Sequence, residues 1–151
     1  MHAALEIALK LCRVFEGFFS KPYMCPAQVP TIGYGTTYYE NGVRVSLSDP
    51  PITRERAEEL LSRQLTGIYM RGVLKCSPSL IAYPSALGAL TSFAYNLGVP
   101  RYRGSTLRRR VDAGDWEGAR VEILRWNRAG GRVLRGLVRR RQAEAVYLHG
   151  A

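Results

Sequence analysis

The stretch EGFFSKPYMCPAQVPTIGYG, running from Glu16 to Gly35, decides how the chain folds and where its chemistry can sit. It opens on an acid, Glu16, where an apolar-periodic first segment runs out. A thiol, Cys25, follows nine positions on, then a hydroxyl, Thr31, six further, and then the glycine-spaced run Ile32-Gly33-Tyr34-Gly35. Upstream, Ile7, Leu11, Val14, Phe15 and Phe18 recur at helical spacing, which predicts a first helix with one buried face. Gly17 is its expected stop, leaving Glu16 among the free carbonyls of the last turn. The negative end of the helix dipole opposes an ionised carboxylate there, and so does desolvation by Phe15, Phe18 and Phe19, so the pKa of Glu16 is expected to rise. A carboxyl kept protonated near neutral pH suits a general acid. A lone glutamate at a helix end is more often a solvated surface group; the company of Cys25 and Thr31 gives this one its weight.

Beyond Thr31 the period changes. Ile32, Tyr34, Thr36 and Tyr38 alternate, Asn41-Gly42 signals a tight turn, and Val43 and Val45 alternate on the return, which predicts a small antiparallel sheet. Asp49-Pro50-Pro51 closes that segment, and Thr53 is the expected N-cap of a long helix reaching about Leu74, with Ala57, Leu60, Leu61, Leu65, Ile68 and Tyr69 on its apolar face. Ser85 to Leu97 is apolar on nearly all sides and stopped by Gly98 and Pro100, the mark of a buried central helix with Asn96 at its end. Further helices are expected at Ser105 to Asp112, Asp115 to Trp126 and Arg135 to Tyr147. The fold class is therefore α+β and mainly helical. One domain is expected over 1–151, with a sheet lobe at about 20–50, a helical lobe at about 75–151 plus the first helix, and the long helix joining them.

Hydrophobic residues at 46% and charged residues at 23% are those of an ordinary globular protein. No apolar run approaches a membrane span, and no signal peptide is recognisable. The net charge of +10 is uneven: residues 1–100 carry nine Lys/Arg against seven Asp/Glu, whereas residues 101–151 carry thirteen Arg against five acids. Such a field draws a protein towards a polyanion, either nucleic acid or an anionic bacterial envelope. The basic third shows no nucleic-acid recognition motif, and Arg108-Arg109-Arg110 and Arg139-Arg140-Arg141 read as solvated helix faces. Three cysteines at these spacings make neither a disulfide framework nor a zinc site, and no cofactor is called for. Cys12 is expected to be buried, and Cys76 to end a helix without a functional signal.

Glu16, Cys25 and Thr31 at this spacing, followed by Ile32-Gly33-Tyr34-Gly35, resemble the catalytic signature of the phage-type lysozymes, a glycoside hydrolase family that includes many bacteriophage endolysins. The blocks Ser92 to Gly98 and Gly130 to Glu144 are similar to the same family, so the likeness spans most of the chain. It implies a lysozyme-like fold and a muramidase that hydrolyses the β-1,4 bond between N-acetylmuramic acid and N-acetylglucosamine in bacterial peptidoglycan, causing host cell lysis. It implies Glu16 as general acid, Thr31 holding the attacking water, and Cys25 in a position where the family commonly has aspartate. It also implies an arginine of the second cluster beside Glu16, and Asn96 holding a sugar hydroxyl or acetamido group. The residues themselves add two expectations: Gly33 and Gly35, without side chains, let a sugar or the backbone opposite approach closely, and Tyr34 stacks on a sugar face. A thiol is mostly neutral at neutral pH, so Cys25 has three open roles: a thiolate that stabilises positive charge, a nucleophile, or a dispensable neighbour. Synthesis in the host cytoplasm and a separate route to the wall are the corresponding expectations. Two other functions remain to be weighed: a lytic transglycosylase, which needs Glu16 alone, and a non-catalytic wall- or nucleic-acid-binding module.

Overall fold

The structure, a computed structural model, describes residues 1–151. Helix α1, His2–Glu16, ends at Gly17, whose positive φ of 72° breaks the helix while its N–H still caps Arg13 O. Its buried stripe is Ala4, Ala8, Leu9, Leu11 and Cys12; of the set that periodicity picks out, Leu11 is buried and Ile7, Phe15 and Phe18 pack on the cores, whereas Val14 is 68% exposed. The small residues of the stripe match what lies across the crossing. The central helix α4, Pro84–Leu97, comes so close that a Cβ on its Gly88 would lie 2.6 Å from Ala4 O and 2.8 Å from Ile7 Cβ, so only small residues fit between the two helices.

The antiparallel sheet lies earlier in the chain than the alternation predicts. Strand β1, Phe19–Met24, pairs with β2, Pro30–Gly33, in the register Tyr23 opposite Thr31 and Met24 opposite Pro30, with an irregularity between Phe19 and Tyr23. Lys21-Pro22 hides β1 from a period-based reading, and a proline that cannot donate to the ladder fits the break in register. The expected Asn41-Gly42 hairpin is a turn joined only by an isolated Tyr38–Arg44 bridge.

The joining helix starts at Thr53, whose hydroxyl accepts the Arg56 N–H, and runs as α2, Arg54–Gln64, then a π-helical turn, Leu65–Met70, then α3, Arg71–Cys76. A 3₁₀ turn, Pro78–Ala82, leads into α4. Gly98 and Pro100 end α4 as expected, but Pro100 then starts a short helix α5, Val99–Arg103, that the sequence reading lacks. Helices α6, Thr106–Asp112, and α7, Trp116–Leu124, are capped by Ser105 and Asp115. A second hairpin, β3 Arg128–Ala129 and β4 Arg132–Val133, turns through Gly130-Gly131, both at positive φ, before α8, Arg135–Ala145.

Two cores result. The larger gathers Leu87, Leu90, Phe93, Tyr102, Leu107 and Ile123 around α4; the smaller, with Ala8, Cys12, Tyr34, Leu61 and Leu65, backs the sheet. Each fully buried large apolar side chain contributes about 1.5–3 kcal/mol to such a core. No helix is long and apolar enough to cross a membrane.

Candidate active site

Glu16 ends α1 at the wall of a cleft of about 720 Å³, which Tyr38, Tyr39, Arg63, Tyr69 and Asn96 also line. Its carboxylate Oε2 accepts from Arg140 Nη1 at 2.5 Å. Arg140 is nearly fully buried, and its other nitrogens are spent on Ser92 O and Ser92 Oγ at 3.2 Å each, on Cys12 Sγ at 3.5 Å and on Glu144 Oε2 at 3.4 Å. Glu144 in turn accepts from Ser92 Oγ at 2.6 Å and pairs with Arg141 at 2.7 Å. Two carboxylates and two guanidiniums thus balance beneath the cleft, which is how buried charges are tolerated. Burial works against the Arg140 cation, but the surrounding Cys12, Glu16 and Glu144 outweigh it and hold its pKa above the ordinary value. Burial pushes the Glu144 carboxyl up.

These contacts revise one sequence expectation and meet another. In the cluster Arg139-Arg140-Arg141 only Arg139 is a solvated face; Arg140 and Arg141 are interior. The arginine of that cluster expected beside Glu16 is Arg140, in direct contact with its carboxylate.

The other carboxylate oxygen has a separate setting. A Cβ at Gly35 would stand 3.0 Å from Glu16 Oε1 and 3.1 Å from the Tyr95 hydroxyl, and Gly35 has φ of 85°, so glycine is required on both counts. The Tyr95 hydroxyl donates to Tyr34 O at 2.7 Å and pins the backbone that carries this gap.

Cys25 lies just past the end of β1, where its N–H donates to Val29 O and Gln28 turns back with φ of 62°. Burial raises its thiol pKa, but hydrogen bonds from the Val29 N–H, the Thr31 hydroxyl and the Ala27 N–H together outweigh that, and the net shift is downward. Thr31 is 3% exposed; its hydroxyl donates to Val29 O at 2.9 Å, on the loop that carries Cys25, and lies outside the cleft lining.

The remaining sequence candidates divide. Gly35 and Asn96 line the cleft. Gly33 does not: its missing Cβ would meet Ala57 Cβ at 3.1 Å and Ile52 Cδ1 at 3.4 Å, so it lets the sheet pack on α2. The Tyr34 ring is 5% exposed and packs in the smaller core beside Phe18, at 5.7 Å between centroids, so the aromatic rings available to a sugar are those of Tyr38, Tyr39 and Tyr69. Two participants escaped the sequence reading. Glu144 lies inside a block already likened to the family, with nothing to set it apart until it is seen buried. Tyr23 has its phenol pKa pushed up first by burial and then by the negative charges of Glu16 and Cys25, and it stands opposite Thr31 in the β1–β2 register.

No group of three or more histidine, cysteine or acidic side chains is arranged to hold a metal ion. A profile of the phage lysozyme family matches residues 13–144. An endolysin of Acyrthosiphon pisum secondary endosymbiont phage 1 is 32% identical over an alignment covering 100% of both chains. An endolysin of Bacillus phage B103 is 36% identical across 96% of this chain, which spans 54% of that relative's length. Among solved structures, the endolysin from Escherichia coli O157:H7 phage FAHEc1 superposes with a TM-score of 0.83 at 30% identity, covering 94% of this chain and 90% of that one. Profile, full-length likeness and fold agree, and the chain belongs to the phage lysozyme family.

Proposed function

We propose that this chain is the muramidase of an endolysin and cleaves the β-1,4 bond between N-acetylmuramic acid and N-acetylglucosamine of peptidoglycan, with Glu16 as its general acid. By family it is a glycoside hydrolase. Cleavage needs a proton on the leaving oxygen and relief of the positive charge that builds on the sugar. The observation that carries the assignment is the setting of Glu16: Oε2 is tethered to buried Arg140, while the side chain keeps 21% exposure in the cleft wall. A fixed carboxyl that still reaches the cleft can hand its proton to a glycosidic oxygen and take it back from solvent afterwards.

Cys25 is the negative partner in this account. Its lowered pKa favours the thiolate, and negative charge at the β1–β2 turn, in the wall of a hollow that shares Asn96 with the cleft, stabilises positive charge developing on the sugar. Water then adds to the anomeric carbon as the bond to the leaving oxygen breaks. Thr31 acts through Cys25, holding the sulfur and its loop in place, rather than by holding the water itself.

The test is Glu16→Gln, which keeps the side-chain size and the Arg140 contact but removes the transferable proton. Lysis of peptidoglycan suspensions should fall by about 10²-fold or more with the circular dichroism spectrum and Tm little changed. Lysis within twofold of the parent would refute the assignment.

A further inference from the structure

The carboxylates of Glu16 and Glu144 hold the same guanidinium, Glu16 on Nη1 of Arg140 at 2.5 Å and Glu144 on its Nε at 3.4 Å. Glu16 changes charge as it gives up and regains a proton, so the charges that face it matter. Cys12, on the same helix, stays a neutral thiol with its pKa at about 12. The phenols of Tyr23, Tyr69 and Tyr95, from β1, the π-helical turn and α4, are pushed up by burial first and by Glu16 next, and stay neutral too. Cys25, whose charge Tyr23 also senses, is the other group that titrates nearby. The fixed charges all come from α8: Arg140, Arg141 and Glu144. Burial works against the Arg141 cation, but a guanidinium does not deprotonate in proteins. Burial also works against an ionised Glu144, yet each atom facing its carboxyl is a donor. Its Oε2 accepts from Ser92 Oγ at 2.6 Å, from Arg140 Nε and from Arg141 Nη2 at 3.2 Å, and Oε1 lies 2.7 Å from Arg141 Nε. A proton there would have no acceptor, so Glu144 is an anion wedged between two cations.

We propose that Glu144 is a positioning residue for the acid step: by cancelling one of two buried guanidinium charges, it lets Glu16 hold a proton while staying tied to Arg140. This rests on the muramidase reading and deepens it. The α8 side chains beside Glu16 sum to +1, two arginines against one glutamate, so an ionised Glu16 makes the cluster neutral and a protonated one leaves a single excess charge. Without Glu144 the excess would be two, and Glu16 would be the one anion left to balance it. A carboxyl facing two buried cations is held ionised and keeps no proton to give. Arg141 is 0% exposed with its guanidinium 5.0 Å from the Phe93 ring centre, so water cannot screen its charge. Ser92 on α4 fixes the arrangement, since its hydroxyl donates to Glu144 and its carbonyl accepts from Arg140.

The experiment reads the proton on Glu16 directly, by carbon-13 NMR titration of its carboxyl, identified by its absence in Glu16→Gln. The variants change the α8 charge in steps. Glu144→Gln raises it to +2, Arg141→Met lowers it to 0, and Glu144→Gln/Arg141→Met restores +1, with methionine filling the place against Phe93. Positive charge favours the ionised carboxyl, so the midpoint of Glu16 should fall by about one pH unit in Glu144→Gln and rise by about one in Arg141→Met. The double variant should lie within about 0.3 unit of the parent, and so should Arg139→Gln, an exposed change on the same helix. The alkaline limb of kcat/KM on peptidoglycan strands, where the acid loses its proton, should move in step with the midpoint. Glu144→Gln strands a buried cation; if it does not fold, Arg141→Met above the parent with the double variant beside the parent sustains the proposal. One midpoint for all variants, both single changes shifting it the same way, a double variant displaced from the parent by a full unit, or an equal shift in Arg139→Gln would overturn it. A parent that cleaves no strand would sink the muramidase reading, and the midpoints, which need no substrate, would still decide whether Glu144 sets the charge state of Glu16. A parent that cleaves with its alkaline limb unmoved by these changes would overturn the proposal and leave the muramidase reading in place.

Discussion

Burial takes the Cys12 thiol up to about 12, whereas the turn around Cys25 brings its thiol below the ordinary value. Both follow from position. Cys12 is 0% exposed on the inner face of α1, where desolvation dominates, and Cys25 lies at a turn whose N–H groups point at the sulfur. A lowered pKa means the thiolate forms at lower pH than for a free thiol. The rate of iodoacetamide alkylation of Cys25 should therefore rise with pH and level off at a lower pH than for free cysteine, while Cys12 stays unlabelled in the native state. A midpoint at or above that of free cysteine would remove the thiolate from the mechanism. At this scale the sequence was informative about residue types and silent about partners. Glu16, Cys25 and Thr31 were singled out by their resemblance to a family signature, but the placing of Thr31 opposite Tyr23, with its hydroxyl on Val29 O, depends on the β1–β2 register, which proline in β1 conceals. Tyr34 was misplaced for the same kind of reason: alternation names two faces of a strand without saying which one meets solvent.

The central element is the α1–α4 crossing, since α1 delivers Glu16 and α4 delivers Ser92, Tyr95 and Asn96. Gly88→Ala would put a methyl group 2.6 Å from Ala4 O, a backbone atom that cannot swing away. Denaturant unfolding should show a loss of about 2 kcal/mol or more, the usual scale for overpacking. A change below about 0.5 kcal/mol would mean that the helices are not held this closely. Long elements with strong periods, α1, α2 with its π-helical continuation, α4 and α8, were readable in the sequence because burial of one face dictates their pattern. The short ones, β1, α5 and the β3–β4 hairpin, were not, because two to six residues carry too little period to compete with flanking glycine and proline. The buried pair Arg140 and Arg141 shows the opposite failure: a run of arginines looks solvated until Glu144 is found one helical turn away.

For the whole molecule, the net charge of +10 concentrates in the C-terminal third while Glu16, the acid proposed for catalysis, ends the first helix. On the proposed function, one part would draw the protein to an anionic wall and another would cut. Encounter should weaken with salt as the screening length falls from about 10 Å at 0.1 M to about 3 Å at 1 M. Lysis of intact wall should slow several-fold across that range, while cleavage of a short neutral oligosaccharide changes little. Equal salt sensitivity of both would place the effect in the catalytic step. The single α+β, mainly helical architecture was legible because three motif blocks in the right order span most of the chain. A hollow beside the cleft, walled by the Cys25 turn, the end of α4, α5 and the β3–β4 hairpin, was not legible, since only the fold brings those residues together.

The central claim is hydrolysis with Glu16 as the acid, and the ends of the released fragments test it most directly. Mass spectrometry of fragments from purified peptidoglycan should show reducing N-acetylmuramic ends with the parent protein and none with Glu16→Gln. Anhydro ends, lighter by one water, would contradict hydrolysis and make the enzyme a transglycosylase, and reducing ends persisting at the parental rate in the variant would contradict the role given to Glu16.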